Sequence, residues 1–182
     1  NVGIEVDNSH RIQVNEFYQT TVPNIYAAGD VIGFPSLAST SMEQGRLAAR
    51  HAFGLSFSSS PELFPLGVYA IPEMSMVGKT EEELSEQQVP YEVGIARLKE
   101  TARGHIMGLD EGMLKLIFGL DDKKLLGVHV LGENATELVH IGQAVLAMGG
   151  GLDFFVENVF NYPTLAEAYK IAALDASNRM GE

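Results

Sequence analysis

With 182 residues and 46% hydrophobic content the sequence can enclose a real core, as one large domain or as a segment plus a domain, which excludes a disordered chain. Twelve basic against twenty-four acidic residues leave a net charge of −12, and no Lys/Arg stripe interleaved with aromatics occurs, so nucleic acid is not expected as a partner. Cysteine is absent, which excludes disulfides, thiolate metal sites and a thiol nucleophile within these residues, and no apolar run approaches the roughly 18 residues of a membrane span.

The first residues, NVGIEVDNSH, carry neither a basic n-region nor an apolar h-region, and the composition suits the cytoplasm. Opening without Met in the manner of a mid-strand segment, the chain is expected to be cut from something longer. Residues 1–33 alternate short β-type runs, RIQV at 11–14 and NIYAA at 24–28, with Asn, Asp and Pro punctuation; the second run ends in Gly29-Asp30. The letters ASTSMEQGRLAARHAF, 38–53, predict a helix whose small residues let it approach a neighbouring backbone. Serines and prolines then break the pattern, and residues 55–61 read as a linker.

A second unit begins at about residue 62. GVYA (67–70) and MSMVG (74–78) predict short strands around Pro72, and Thr80-x-x-Glu83 is a capping box that opens a helix. YEVGIARL (91–98) and GMLKLIFG (112–119) predict longer strands, the latter pairing with LLGVHVLG (125–132) across the turn at 120–124. ATELVHIGQAVLAM (135–148) places Leu138, Ile141, Val145 and Met148 at helical spacing, and Thr164-x-x-Glu167 predicts the cap of a last helix of about fifteen residues. Strands, a helix, three strands and then helices argue an α+β domain with an antiparallel sheet.

Several stretches can carry chemistry. Asp30 follows a glycine at the end of a predicted strand, where a carboxylate can accept hydrogen bonds from sugar or sugar-alcohol hydroxyls; a plain turn is the alternative reading. The helix that follows starts near Leu37 and Ala38, whose N–H groups are free donors for a carbonyl or an anion. His10, His51, His105, His129 and His140 stand in no i,i+4 or HExxH relation, so no metal site is expected. Arg103 and His105 in ARGHIMG read as a solvated turn, TEEELSEQQ as a solvated helix face, and Met74, Met76 and Met148 as core or interface filler.

The segment IYAAGDVIGFPSLASTSMEQGRLAA, 25–49, resembles the second flavin-contact motif of the two-dinucleotide-domain flavoprotein disulfide reductases, the family that includes dihydrolipoamide dehydrogenase, glutathione reductase and the soluble pyridine nucleotide transhydrogenases. GIEVDNSHRIQVNEFYQTTVPN is similar to the family's return from the nicotinamide domain into the FAD domain, YAIPEMSMVGKTEEEL (69–84) to the start of its interface domain, and NYPTLAEAY to its closing signature. The resemblance implies that residues 1–55 are the C-terminal segment of an FAD-binding α/β domain and 62–182 an interface domain, and the apolar helix 135–148 with the aromatic cluster Phe154, Phe155, Phe160 and Tyr162 makes a symmetric homodimer through 62–182 the expectation. It implies that Asp30 holds a ribityl hydroxyl of FAD and that the helix start at Leu37 and Ala38 faces the flavin ring. The pyrophosphate-binding glycines, the redox cysteine pair and the NAD(P) domain of such a protein would lie upstream of Asn1.

In the disulfide reductases the closing motif has His where Tyr162 stands, while Pro163, Thr164 and Glu167 are retained here. That His takes a proton from a thiol, and a tyrosine, with a reference pKa of about 10, is a poor base for the task. Hydride transfer between NADPH and NAD through flavin generates no thiol, and GDVIGFPSLAS and NYPTLAEAY resemble the soluble transhydrogenase branch. Tyr162 and Glu167 are therefore the candidate reaction-site residues of the closing motif. The competing reading makes Tyr162 an interface aromatic beside Phe160, its hydroxyl bonded to Glu167 or water. A dihydrolipoamide dehydrogenase-like reductase and a stand-alone dimerisation module are the alternative functions.

Overall fold

In the computed structural model the described residues are 2–56 and 63–181, and the chain divides into two units, Asn1–Glu62 and Leu63–Glu182. In the first unit, isolated bridges hold the backbone: Val6 pairs with Ile12, Val14 with Thr20, and Gln19 with Tyr26. The strands expected at 11–14 and 24–28 are thus single bridges. A strand needs a neighbour along its length for its N–H and C=O groups, and here side chains in tight turns take several of them. The Asp7 carboxylate accepts from the N–H groups of Ser9 and Arg11, and the Asn15 amide oxygen from those of Phe17 and Gln19.

Helix α1 (Ala38–Ala52) forms where the sequence predicts it and buries Thr40, Gln44, Leu47 and Ala48. Leu47 and Ala48 join Tyr18 in a small core over Val14, Tyr26 and Ile32. At the helix end the His51 ring stacks on Phe17 with centroids 4.4 Å apart, and its Nδ1 lies 2.8 Å from the Tyr26 hydroxyl. The linker expected at 55–61 falls largely outside the described residues.

The second unit is α+β. Strands β1 (Leu66–Val68), β2 (Met74–Gly78), β3 (Tyr91–Arg97), β4 (Met113–Gly119) and β5 (Leu125–Leu131) make one antiparallel five-stranded sheet in the order β1-β2-β5-β4-β3. The capping box before α2 (Glu81–Glu86) is complete: Thr80 Oγ1 accepts from Glu83 N–H at 3.2 Å, and Glu83 Oε2 from Thr80 N–H at 3.0 Å. One face of the sheet carries Val77, Leu114, Leu116, Phe118, Val128 and Val130 into a core closed by α4 (Ala135–Ala147) and α6 (Glu167–Met180). Between these two helices runs α5 (Leu152–Glu157), whose Leu152 and Phe155 are buried. The opposite face is an open groove of about 430 Å³ lined by residues that include Met74, Met76, Met113, Lys115 and His129. Partial burial there lowers the pKa of His129, whose Nε2 lies 3.1 Å from the Lys79 carbonyl oxygen.

Three local expectations are corrected. ARGHIMG is a helix, α3 (Ala102–Met107), capped by Thr101 Oγ1, which accepts from Gly104 N–H at 3.0 Å. At six residues it is too short to show a period. Met148 stands just past the last turn of α4 and is 87% exposed, which excludes the core half of the core-or-interface reading, while Leu138 and Val145 are buried as expected. Glu167 accepts from Thr164 N–H at 3.3 Å, but the Thr164 hydroxyl donates to Asn161 O at 2.7 Å, so the second box is half made and α6 starts at Glu167 with Ala166 as N-cap.

Helix α6 lies directly on β3. A β-carbon at Gly94 would stand 1.8 Å from the Ala172 carbonyl oxygen and 2.9 Å from Ala176 Cβ. Beside it, the Asp175 carboxylate accepts from Ile95 N–H at 2.9 Å. Gly94→Ala would have to push a helix backbone away from the sheet, and should lower the denaturant-unfolding free energy of the second unit by about 3 kcal/mol or more. A midpoint in urea within experimental scatter of the unsubstituted protein would disprove this packing.

Candidate functional site

The turn at Gly29 is set by its own backbone and by α1. Gly29 adopts φ 81°, is buried, and donates its N–H to the buried Gln44 Oε1 at 2.7 Å. A β-carbon there would meet Ser41 Oγ at 3.1 Å and Ser41 Cβ at 3.3 Å. Glycine therefore serves both the positive φ and the close approach of the helix. The next residues, Asp30–Ile32, form a 3-10 turn, so Asp30 opens a short helical turn instead of ending a strand. Its side chain is exposed, and its carboxylate makes no hydrogen bond or ion pair with the described residues.

Leu37 is the N-cap of α1 and Ala38 its first residue, with no side-chain cap. The first helical bond runs from Ser41 N–H to Leu37 O at 2.8 Å. The N–H groups of Ala38, Ser39 and Thr40 are thus the orphan donors of the first turn, and the apolar Leu37 cannot cap them. An unpartnered carboxylate and an uncapped helix start on one segment suit a ligand that carries hydroxyls and a carbonyl, which is the donor and acceptor set of a flavin with its ribityl chain.

In the second unit, Tyr162 lies within the loop between α5 and α6, and Glu167 opens α6. Tyr162 is 76% exposed and its hydroxyl makes no hydrogen bond among the described residues. The bond to Glu167 proposed for a packing tyrosine is not made: the half-buried Glu167 turns to Thr164 N–H. The aromatic cluster divides in the same way. Phe155 is fully buried, while Phe154 is 43% exposed and Val159, on the same loop, 92%. No three His, Asp or Glu side chains come together as a metal-ligand set among the described residues.

The family model described as pyridine nucleotide-disulphide oxidoreductase, dimerisation domain, matches residues 64–173. The chain belongs to this family. A second model, pyridine nucleotide-disulphide oxidoreductase, matches residues 1–45. Among curated relatives, a soluble pyridine nucleotide transhydrogenase of Mycobacterium bovis is 59% identical over 180 residues, and one of Citrobacter koseri 49% over 184. Each alignment covers 99% of this chain but only 38% and 40% of the relative, so the chain spans about two fifths of their length. Among solved structures, LpdA of Mycobacterium tuberculosis superposes with a TM-score of 0.84 at 25% identity, over 94% of this chain and 38% of that one. The HOCl-induced flavoprotein disulfide reductase RclA of Escherichia coli gives 0.88 at 25% identity, over 94% and 40%.

Within this pyridine nucleotide-disulphide oxidoreductase chain two polar residues escaped the sequence reading. Gln44 is one, and its signal was a lone amide on the buried stripe with Thr40, Leu47 and Ala48. The other is Tyr169, the last letter of NYPTLAEAY, which is fully buried and whose phenol burial holds above its ordinary pKa. Replacing Gln44 by Leu leaves the Gly29 N–H buried without an acceptor, at a cost of about 1–3 kcal/mol. Amide exchange at Gly29 should quicken in Gln44→Leu relative to the α1 interior; equal protection in both proteins would show that this bond does not hold the turn.

Proposed function

We propose that this chain is the C-terminal portion of a cytoplasmic flavoprotein that passes hydride from NADPH to NAD through FAD, as a soluble transhydrogenase. The observation that carries the reading is Tyr162: an exposed phenol, unbonded to Glu167, stands where a thiol-handling member of the family places its base. Identity of 59% and 49% to proteins named soluble pyridine nucleotide transhydrogenases supports it. Residues 1–55 are the tail of the FAD-binding domain and 62–182 the interface domain in this reading.

FAD, when bound, supplies the ring that takes a hydride from one nicotinamide and returns it to another. Asp30 would accept a hydrogen bond from a ribityl hydroxyl, and the free N–H groups at Leu37 and Ala38 would face the ring and favour negative charge on it. Gln44 holds the Gly29 turn and so aims Asp30. Tyr162 and Glu167 shape the lip of the closing motif and move no thiol proton. NAD and NADP are substrates in this reading, and neither nucleic acid nor a membrane is a partner; among the described residues no helix is long and apolar enough to cross a membrane.

The test uses the full-length flavoprotein with a thio-nicotinamide acceptor. Tyr162→Phe should keep NADPH-to-acceptor transfer within about tenfold, a barrier change of at most about 1.4 kcal/mol. Asp30→Ala should weaken FAD retention by about 1.5–3 kcal/mol, roughly tenfold to 150-fold in Kd. A thousandfold loss in Tyr162→Phe with FAD still bound would make the phenol catalytic and overturn this account.

The same reading makes the protein a homodimer through 62–182. Met148, Val159 and Tyr162 are 87%, 92% and 76% exposed within one short stretch of sequence, an apolar liability on a lone chain. Light scattering at micromolar concentration should give twice the chain mass, and Met148→Asp with Val159→Asp should shift it toward the monomer; a monomer mass without substitution would refute the dimer.

A further inference from the structure

Tyr169 is placed where no side chain is needed for a helix to hold together. Its hydroxyl accepts from Gly142 N–H at 3.1 Å and donates to Leu138 O at 2.7 Å. Gly142 and Leu138 are four residues apart on α4, so these two groups are the donor and acceptor of one helical turn, and a hydroxyl of α6 bonds to both. The ring also stacks on Phe155 of α5, with centroids 5.3 Å apart and planes inclined by 14°. One side chain thereby joins α4, α5 and α6. The room for it comes from Gly142, where a β-carbon would lie 3.1 Å from the Tyr169 hydroxyl and 2.5 Å from Val128 Cγ2.

The joint lies at both ends of the lip. α5 ends at Glu157 and α6 begins at Glu167, so the loop with Tyr162 hangs between the two helices that Tyr169 and Phe155 tie together. The two ends of that loop are held by Asn158 Nδ2 donating to Phe154 O at 2.7 Å, by Lys170 Nζ donating to Asn158 O at 3.1 Å and by the buried Leu165. Around Tyr162 the bonds are local, Thr164 Oγ1 to Asn161 O and Thr164 N–H to Glu167 Oε2. We propose that the Tyr169 hydroxyl is a positioning residue that fixes the start of α6, and with it the lip of Tyr162 and Glu167, against α4. The proposal rests on the reading above, in which the lip of Tyr162 and Glu167 belongs to the reaction site of a hydride-transferring flavoprotein.

Removing the hydroxyl separates positioning from stability. In Tyr169→Phe the Gly142 N–H and Leu138 C=O can bond to each other as in any α-helix, so no buried group is orphaned. What is lost is the tie between helices. In the full-length flavoprotein, hydrogen exchange at the amides of Thr164, Ala168 and Tyr169 should rise about tenfold in Tyr169→Phe while β4 and β5 keep their protection. The kcat for NADPH-to-thio-NAD transfer should fall about fivefold with KM and FAD content unchanged. Faster exchange spread evenly over α4, α6 and the sheet, with kcat per flavin unchanged, would overturn the proposal and leave the hydroxyl a stabilising contact alone. Exchange confined to the lip with no transfer activity in the unsubstituted protein would support the joint and refute the hydride-transfer reading.

Discussion

The Ala172 carbonyl oxygen comes so near the backbone of β3 that even one carbon at position 94 would collide with it, and this approach decides how the second unit is assembled. With Gly94 bare, α6 can lie flat on the sheet and bury Ala168, Ala172, Ala173 and Ala176 along one stripe. Small residues on both sides let main chain meet main chain, which leaves little play in the helix. This contact sets how closely α6 lies on the sheet, while its first turn, with Glu167, is tied to α4 through Tyr169.

The first unit is held together by another route. Among the described residues its apolar core is small, Tyr18, Leu47 and Ala48 with their three partly buried neighbours. Its order comes from polar side chains that substitute for a sheet: Asp7 and Asn15 in the turns, Gln44 on Gly29. An uncapped helix start and an unpartnered carboxylate are tolerable in such a unit because solvent reaches both, and they remain open to a ligand.

Much of this was readable in the letters because it is local. The composition of α1, the period of α4, the Thr80-Glu83 box and the pairing of β4 with β5 across a short turn each lie within a few residues, and the motifs taken in order identified the family. The six-residue helices α3 and α5 were missed, since a turn and a half shows no period. The bonds that aim the candidate residues were missed for the opposite reason. Gln44 reaches Gly29 across 15 positions, and Tyr169 reaches Gly142 across 27, distances over which no spacing rule speaks. The sequence named Tyr162 and Glu167 together, but only coordinates could show that they do not bond to each other.

Asp175 has a role that concerns other molecules. β3 is an outer strand of the sheet, and an outer strand offers unpaired N–H groups to any extended peptide that drifts past. By taking the Ile95 N–H, Asp175 occupies one of those docking points and sets a carboxylate beside the rest. The opposite border is β1, only three residues long, which gives an intruding strand little to grip. During synthesis, when many copies are crowded and partly folded, both borders would resist the strand-by-strand stacking that turns an exposed sheet into a fibril.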